Sequence, residues 1–187
     1  MKLRKPKLSN LVFLAVIIIL IIPQTRLPIQ VLLHKGLALF SPSPIIEEER
    51  KELTDYTWTL KKLDGSTYDF SKASGKVIVL NFWATWCAPC IAEMPSFQDL
   101  YVDYAQEIEF LMVSVEKETV IQKFLDKHDY TFQVMRPMSD IPNLLEARSI
   151  PRTFIIDKRG FVVVDKIGAA NWNSEKVRLT LDQLLAE

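Results

Sequence analysis

The chain has 187 residues, room for one domain and an appendage. At 49% hydrophobic and 25% charged it is not a disordered chain, and it carries enough apolar material for a core. The formal charge is zero but divided: residues 1–49 hold six Lys/Arg against three Glu, while residues 50–187 hold 17 basic and 20 acidic residues, with no Lys/Arg stripe that would serve nucleic-acid binding.

Lys2, Arg4, Lys5 and Lys7 precede an unbroken apolar run over residues 11–22, which Pro23 ends. Counting Leu8, the stretch is about 15 residues. That is short of the ~20 of a spanning helix and long for the apolar region of a signal peptide, ~7–15 residues. No A-x-A-like site follows, since the next residues are Gln24-Thr25-Arg26. The expectation is an uncleaved signal-anchor over residues 1–26, with its basic flank in the cytoplasm and the bulk of the chain outside. Residues 27–40 are apolar again, interrupted by Gln30, His34 and Lys35. Leu32, Leu33, Leu37 and Phe40 can share one helical face. The segment reads either as a helix on or extending into the membrane, or as a loosely ordered tether. Ser41-Pro42-Ser43-Pro44 reads as a linker, and Glu47-Glu48-Glu49 as the solvated start of a domain over residues 50–187.

Within that domain, residues 56–63 and 67–70 flank Asp64-Gly65, a hairpin signal. Residues 77–83 are a buried-strand run. From Ala88 to Tyr104 the apolar positions Ile91, Met94, Phe97, Leu100, Tyr101 and Tyr104 recur at helical spacing, with Pro95 as a kink point. Strand 108–115, helix 119–128, strand 130–135, short helix 141–148, strand 153–156, a turn at residues 157–160 and strand 161–167 follow. A helix over 174–186 closes the chain, with Ser174 as N-cap. Strands alternating with helices and ending in a hairpin predict an α/β fold with a mixed central sheet.

The two cysteines, Cys87 and Cys90, are three residues apart. A disulfide scaffold needs several spaced pairs, and a zinc site needs four ligands, which His34 and His128 do not complete. What remains is one redox dithiol at the join of a strand and a helix, an arrangement that suggests the thioredoxin-like motif. Cys87 at the helix start would face unsatisfied N–H groups and the positive end of the helix dipole, which favour thiolate. Cys87 is therefore the candidate nucleophile, and Cys90, one turn deeper, the resolving thiol.

The string Asn81-Phe82-Trp83-Ala84-Thr85-Trp86-Cys87-Ala88-Pro89-Cys90, with Glu93-Met94-Pro95, resembles the TlpA/ResA-like thiol–disulfide oxidoreductases. Gly75-Lys76 and residues 150–157 with Gly160 resemble the same group, so that the likeness runs from about residue 50 to the end. The resemblance implies a thioredoxin fold with an N-terminal β-hairpin extension and an inserted helix–strand, outside the cytoplasm and tethered to the bacterial inner membrane. It implies thiol–disulfide exchange, often the reduction of disulfides in secreted or cytochrome c maturation partners such as apocytochrome c. It also implies that Pro151 is cis, opposite the cysteines, and presents the Ile150 backbone to a substrate strand, with Trp86 on the same face. Cytosolic thioredoxins usually carry a buried Asp where this chain has Asn81. Glu93, three residues after Cys90 on the same helix face, is the candidate to handle the Cys90 proton, with burial raising its pKa.

No cofactor motif is present, so the cysteine pair is the expected redox group and a membrane partner the expected electron donor. The residues leave open a thiol oxidase, since direction depends on reduction potential. They also leave open a peptide-binding module using Phe82, Trp86 and Pro151, and a Cu(I)-handling thiol pair.

Overall fold

The computed structural model describes residues 8–187, so the basic flank Lys2, Arg4, Lys5 and Lys7 lies outside the described residues. In chain order the helices and strands are α1 (Leu8–Ile21), α2 (Pro23–Leu37), β1 (Thr59–Lys62), β2 (Thr67–Asp69), β3 (Ile78–Phe82), α3 (Ala88–Tyr104), β4 (Glu109–Val113), α4 (Glu118–His128), β5 (Val134–Pro137), β6 (Arg152–Ile156), β7 (Val162–Ile167) and α5 (Glu175–Ala186).

The seven strands form one sheet in the order β2-β1-β5-β4-β3-β6-β7. β3 pairs parallel with β4 and antiparallel with β6, which makes the sheet mixed. All five residues of β3 are buried, as a central strand covered on both faces requires. Side chains alternate across the sheet. Val79, Phe110, Met112 and Ile155 point into a core shared with Met94, Phe97 and Leu100 of α3, Ile121 of α4 and Leu181 of α5. Leu80, Leu111, Val113, Phe154 and Ile156 point the other way, into a second core closed by Trp58, Leu60 and Phe70 of the hairpin region and by Leu145. The same alternation puts Asn81 and its β6 neighbour Thr153, paired in register, on the α3 face.

The hairpin turns at Gly65, whose φ of +87° is open to glycine at no steric penalty. Two expected elements differ. The helix expected over 141–148 is a single 3-10 turn, Asn143–Leu145: Pro142 keeps Ile141 out of the helical region before it, and Glu146, at ψ 118°, leaves helical geometry after it. The strand expected over 130–135 begins only at Val134: Tyr130 and Phe132 stack on each other, 5.2 Å between ring centroids, rather than join the sheet.

At the N-terminus the chain breaks between α1 and α2. Ile22, held before Pro23, is extended at φ −72° and ψ 118°, and Thr25 Oγ1 donates to the Ile19 carbonyl at 2.6 Å. The two helices are bent by 84°. No described helix is long and apolar enough to cross a membrane alone. Helix α2 ends at Leu37, before Phe40, and its Leu32 and Leu33 face outward while Leu27, Val31 and His34 are half-buried.

Candidate active site

β3 delivers the dithiol. Beyond Phe82 the Trp83 amide still bonds the Val113 carbonyl of β4 at 3.0 Å, and the Cys87 amide then turns back onto the Ala84 carbonyl at 3.1 Å. Cys87 is thereby the N-cap of α3, with extended backbone, and its Sγ accepts from the Cys90 amide at 3.3 Å. Cys87 and Cys90 are joined as a disulfide. Pro89 sits in the first helical turn, where its missing N–H costs nothing. The open N–H groups of that turn and the helix dipole meet at the Cys87 sulfur and favour its thiolate once the bond is reduced. The two cysteines are unequally placed: Cys87 is 5% exposed and Cys90 fully buried.

The Ile150–Pro151 peptide is cis. Pro151 and Ile150 line a cleft together with Pro89, so the structure brings the cis-proline loop and the cysteine motif to one place. The Pro151 carbonyl accepts from the Gly168 amide at 2.9 Å, which ties this loop to the segment after β7. Trp86 is 65% exposed beside Cys87 in the chain and does not line that cleft.

Glu93 is 1% exposed. Its Oε1 accepts from Asn81 Nδ2 at 3.0 Å, and its Oε2 accepts from the Ala170 amide at 3.2 Å and from Trp172 Nε1 at 2.8 Å. Burial pushes its pKa up to about 8, against the pull of those three donors and of the Lys166 charge. Asn81 Nδ2 also donates to Thr153 Oγ1 at 2.8 Å, while Asn81 Oδ1 is buried with no partner among the described residues. A carboxyl with a pKa near neutrality thus lies one helical turn from Cys90, where it can hold or release a proton at working pH.

Glu116 was not among the residues singled out by sequence. It accepts from the Thr85 amide at 2.6 Å and from Thr85 Oγ1 at 2.7 Å, clamping the loop two residues ahead of Cys87. Its only sequence signal is topological: parallel neighbours end at the same edge of the sheet, and Glu116 and Thr85 each lie three residues beyond the paired Val113 and Phe82. Among the described residues no three His, Cys, Asp or Glu gather as a metal site.

Residues 53–164 match the AhpC/TSA family. The chain is 38% identical over 127 residues to the thiol–disulfide oxidoreductase ResA of Oceanobacillus iheyensis, covering 66% of this chain and 62% of the relative. It is 32% identical over 147 residues to the thioredoxin-like protein YneN of Bacillus subtilis, covering 76% of this chain and 85% of the relative. Among solved structures it resembles a DsbF homologue from Corynebacterium diphtheriae with a TM-score of 0.59 at 18% identity, over 78% of this chain and 92% of that one, a likeness of fold.

Proposed function

Because the chain belongs to the AhpC/TSA family and, within it, to the ResA-type thiol–disulfide oxidoreductases, we propose that it reduces disulfides of protein substrates outside the cytoplasm, held at the membrane by its N-terminal helix α1. The observation that carries the reading is the Cys87–Cys90 pair at the N-terminus of α3, with Cys87 at the outer position. The apolar, outward-facing residues of α1 support the anchor: Leu11, Val12, Phe13 and Leu14 are all exposed.

The steps balance as follows. In the reduced enzyme the Cys87 thiolate attacks one sulfur of a substrate disulfide. The Cys87–substrate bond forms as the substrate S–S bond breaks, and the released substrate thiolate takes a proton. The Cys90 thiol gives its proton to the Glu93 carboxylate and attacks the Cys87 sulfur, so that the second substrate thiolate leaves. That thiolate takes the second proton, so the substrate gains two electrons and two protons, one proton from the Cys90 thiol by way of Glu93 and one from solvent, and the enzyme ends as the Cys87–Cys90 disulfide with the Glu93 carboxylate restored. A dithiol on a membrane partner returns it to the reduced form. The cysteine pair is the whole redox group. Apocytochrome c, whose haem-binding cysteines must be reduced, is a substrate of the right chemistry.

The test is the reduction potential of the purified full chain, measured against glutathione or dithiothreitol buffers. A potential near the −270 mV of thioredoxin supports a reductase; one near −120 mV makes the protein an oxidant of thiols.

A further inference from the structure

Helix α2 packs against α3, and the segment that follows it is fixed to the catalytic domain. The Phe40 carbonyl accepts from the Asn171 amide at 3.0 Å, Pro42 is buried, Lys176 Nζ donates to Ser43 Oγ at 2.9 Å, and the Ile45 amide donates to the Val163 carbonyl at 2.7 Å. These attachments run residues 40–45 along the domain. They leave Phe40 itself 71% exposed, an aromatic ring on a pinned backbone with nothing packed over it.

That ring faces the reactive end of the molecule. A cleft of about 440 Å³ is lined by His34 and Phe40 from the N-terminal segment and by Pro89, Ile150, Pro151 and Gly168 from the domain. Its volume lies within the roughly 300–1,000 Å³ of ligand-binding pockets. Any disulfide attacked by Cys87 must arrive at the first turn of α3, and the chain that carries it must then pass Pro89 and Pro151. The N-terminal segment supplies the other side of that passage. The family match begins at residue 53, so this side of the cleft comes from outside the matched domain.

We propose that His34 and Phe40 form a substrate subsite that takes the apolar side chain flanking the cysteine of an extended, disulfide-bearing chain. The proposal rests on the reductase reading. Phe40 offers a large apolar face at little loss of freedom, because its backbone is already held. A substrate side chain laid between Phe40 and Ile150 removes apolar surface of both from water and registers the neighbouring cysteine at the dithiol. The subsite therefore selects among protein disulfides by the residue next to the cysteine.

The experiment uses the full chain in mild detergent and two disulfide-linked peptides that differ only in Leu or Ser beside the cysteine. The wild-type protein is expected to favour the Leu peptide about tenfold in kcat/KM, in the range a buried apolar group earns in a pocket. Phe40→Ala is expected to bring that ratio close to one through the KM of the Leu peptide, and Phe40→Leu to keep part of it, with the Cys87–Cys90 reduction potential unmoved in both. A ratio kept by Phe40→Ala overturns the subsite. So does faster turnover of both peptides by Phe40→Ala, which would make the segment a lid, and so does a shifted potential, which would make the effect one on the dithiol. If the wild type reduces neither peptide, the reductase reading fails and the subsite falls with it.

Discussion

Trp172 donates its indole N–H to Glu93 Oε2 at 2.8 Å, across 79 residues of sequence, while its ring stacks on Phe97 of the same helix, 5.0 Å between centroids. The loop after β7 thereby opposes the rise in pKa that burial imposes on a carboxyl of α3. Oε2 faces two N–H donors, so a proton on neutral Glu93 belongs on Oε1, toward Asn81. The unpartnered Asn81 Oδ1 is the acceptor that proton would find if the amide turned over, an exchange of O and N that leaves the shape of the side chain unchanged.

Glu93 makes stability depend on pH in a definite direction. Its folded pKa, about 8, lies above the ordinary 4.5, so between those values the folded state binds more protons than the unfolded one. The contribution is present in full below about pH 4.5 and is lost as pH rises toward 8. Urea unfolding of the oxidised protein between pH 5 and 8 should show a loss of up to about 1.4 kcal/mol per pH unit from this group. Glu93→Gln should flatten the profile by that share. Equal slopes in the two proteins would mean that Glu93 does not titrate in this window.

Trp172→Phe keeps an aromatic ring against Phe97 and removes the N–H. Since that hydrogen bond holds the Glu93 pKa down, its loss should move the carboxyl titration to higher pH, read directly from the carboxyl carbon of labelled glutamate by NMR. The partly unsatisfied Oε2 should lower stability by about 1–3 kcal/mol. An unmoved titration would show that burial alone sets the proton affinity.

What sequence reveals about this molecule follows how local the cause is. The β3 run and the α3 repeat are short-range patterns, and both elements appear within a residue or two of where the spacing puts them. Cys87 and Cys90 mark themselves by spacing. Glu93 is legible as a residue on the Cys90 face, and its burial follows from the role assigned to it there; what holds a carboxylate in the core is not legible, because carboxylates are almost always exposed unless partnered. Its partners Ala170 and Trp172 are 77 and 79 residues away. The helix expected near residue 145 is cut to one turn, with extended backbone at Pro142 before it and at Glu146 after it. Helix α2 has two apolar faces, and only the fold decides that Leu27 and Val31 turn inward while Leu32 and Leu33 do not.

The division of labour between the cysteines can be read by trapping. With Cys90→Ser the reduced enzyme should attack a substrate disulfide and stop, leaving a covalent mixed disulfide at Cys87 visible as an added mass that a thiol reductant removes. With Cys87→Ser no adduct should accumulate, because the remaining sulfur at Cys90 is fully buried. Adducts of equal yield in both variants would show that the order of attack is not set by burial.

The clamp on Thr85 should matter to the dithiol without touching it. β3 and β4 are parallel, and Phe82 pairs with Val113, so the chain leaves both strands at one edge of the sheet and Thr85 meets Glu116 three residues on. One carboxylate answers both polar hydrogens of Thr85, at 2.6 and 2.7 Å, short enough for charge-assisted bonds. Glu116→Ala leaves the Thr85 amide and hydroxyl without that partner and should lower stability by about 1–3 kcal/mol. Glu116→Gln keeps one acceptor and the length of the side chain, and should recover much of that loss. The loop also sets where Cys87 meets the start of α3. The Ala variant should therefore shift the Cys87 thiol titration, followed by thiolate absorbance, toward the ordinary cysteine value of ~8.5 as the sulfur loses its fixed place at the helix end. The Gln variant should shift it less. A stability loss with an unchanged thiol titration would make Glu116 a brace of the fold alone; a shift in the thiol graded from Gln to Ala would identify it as a residue that positions Cys87.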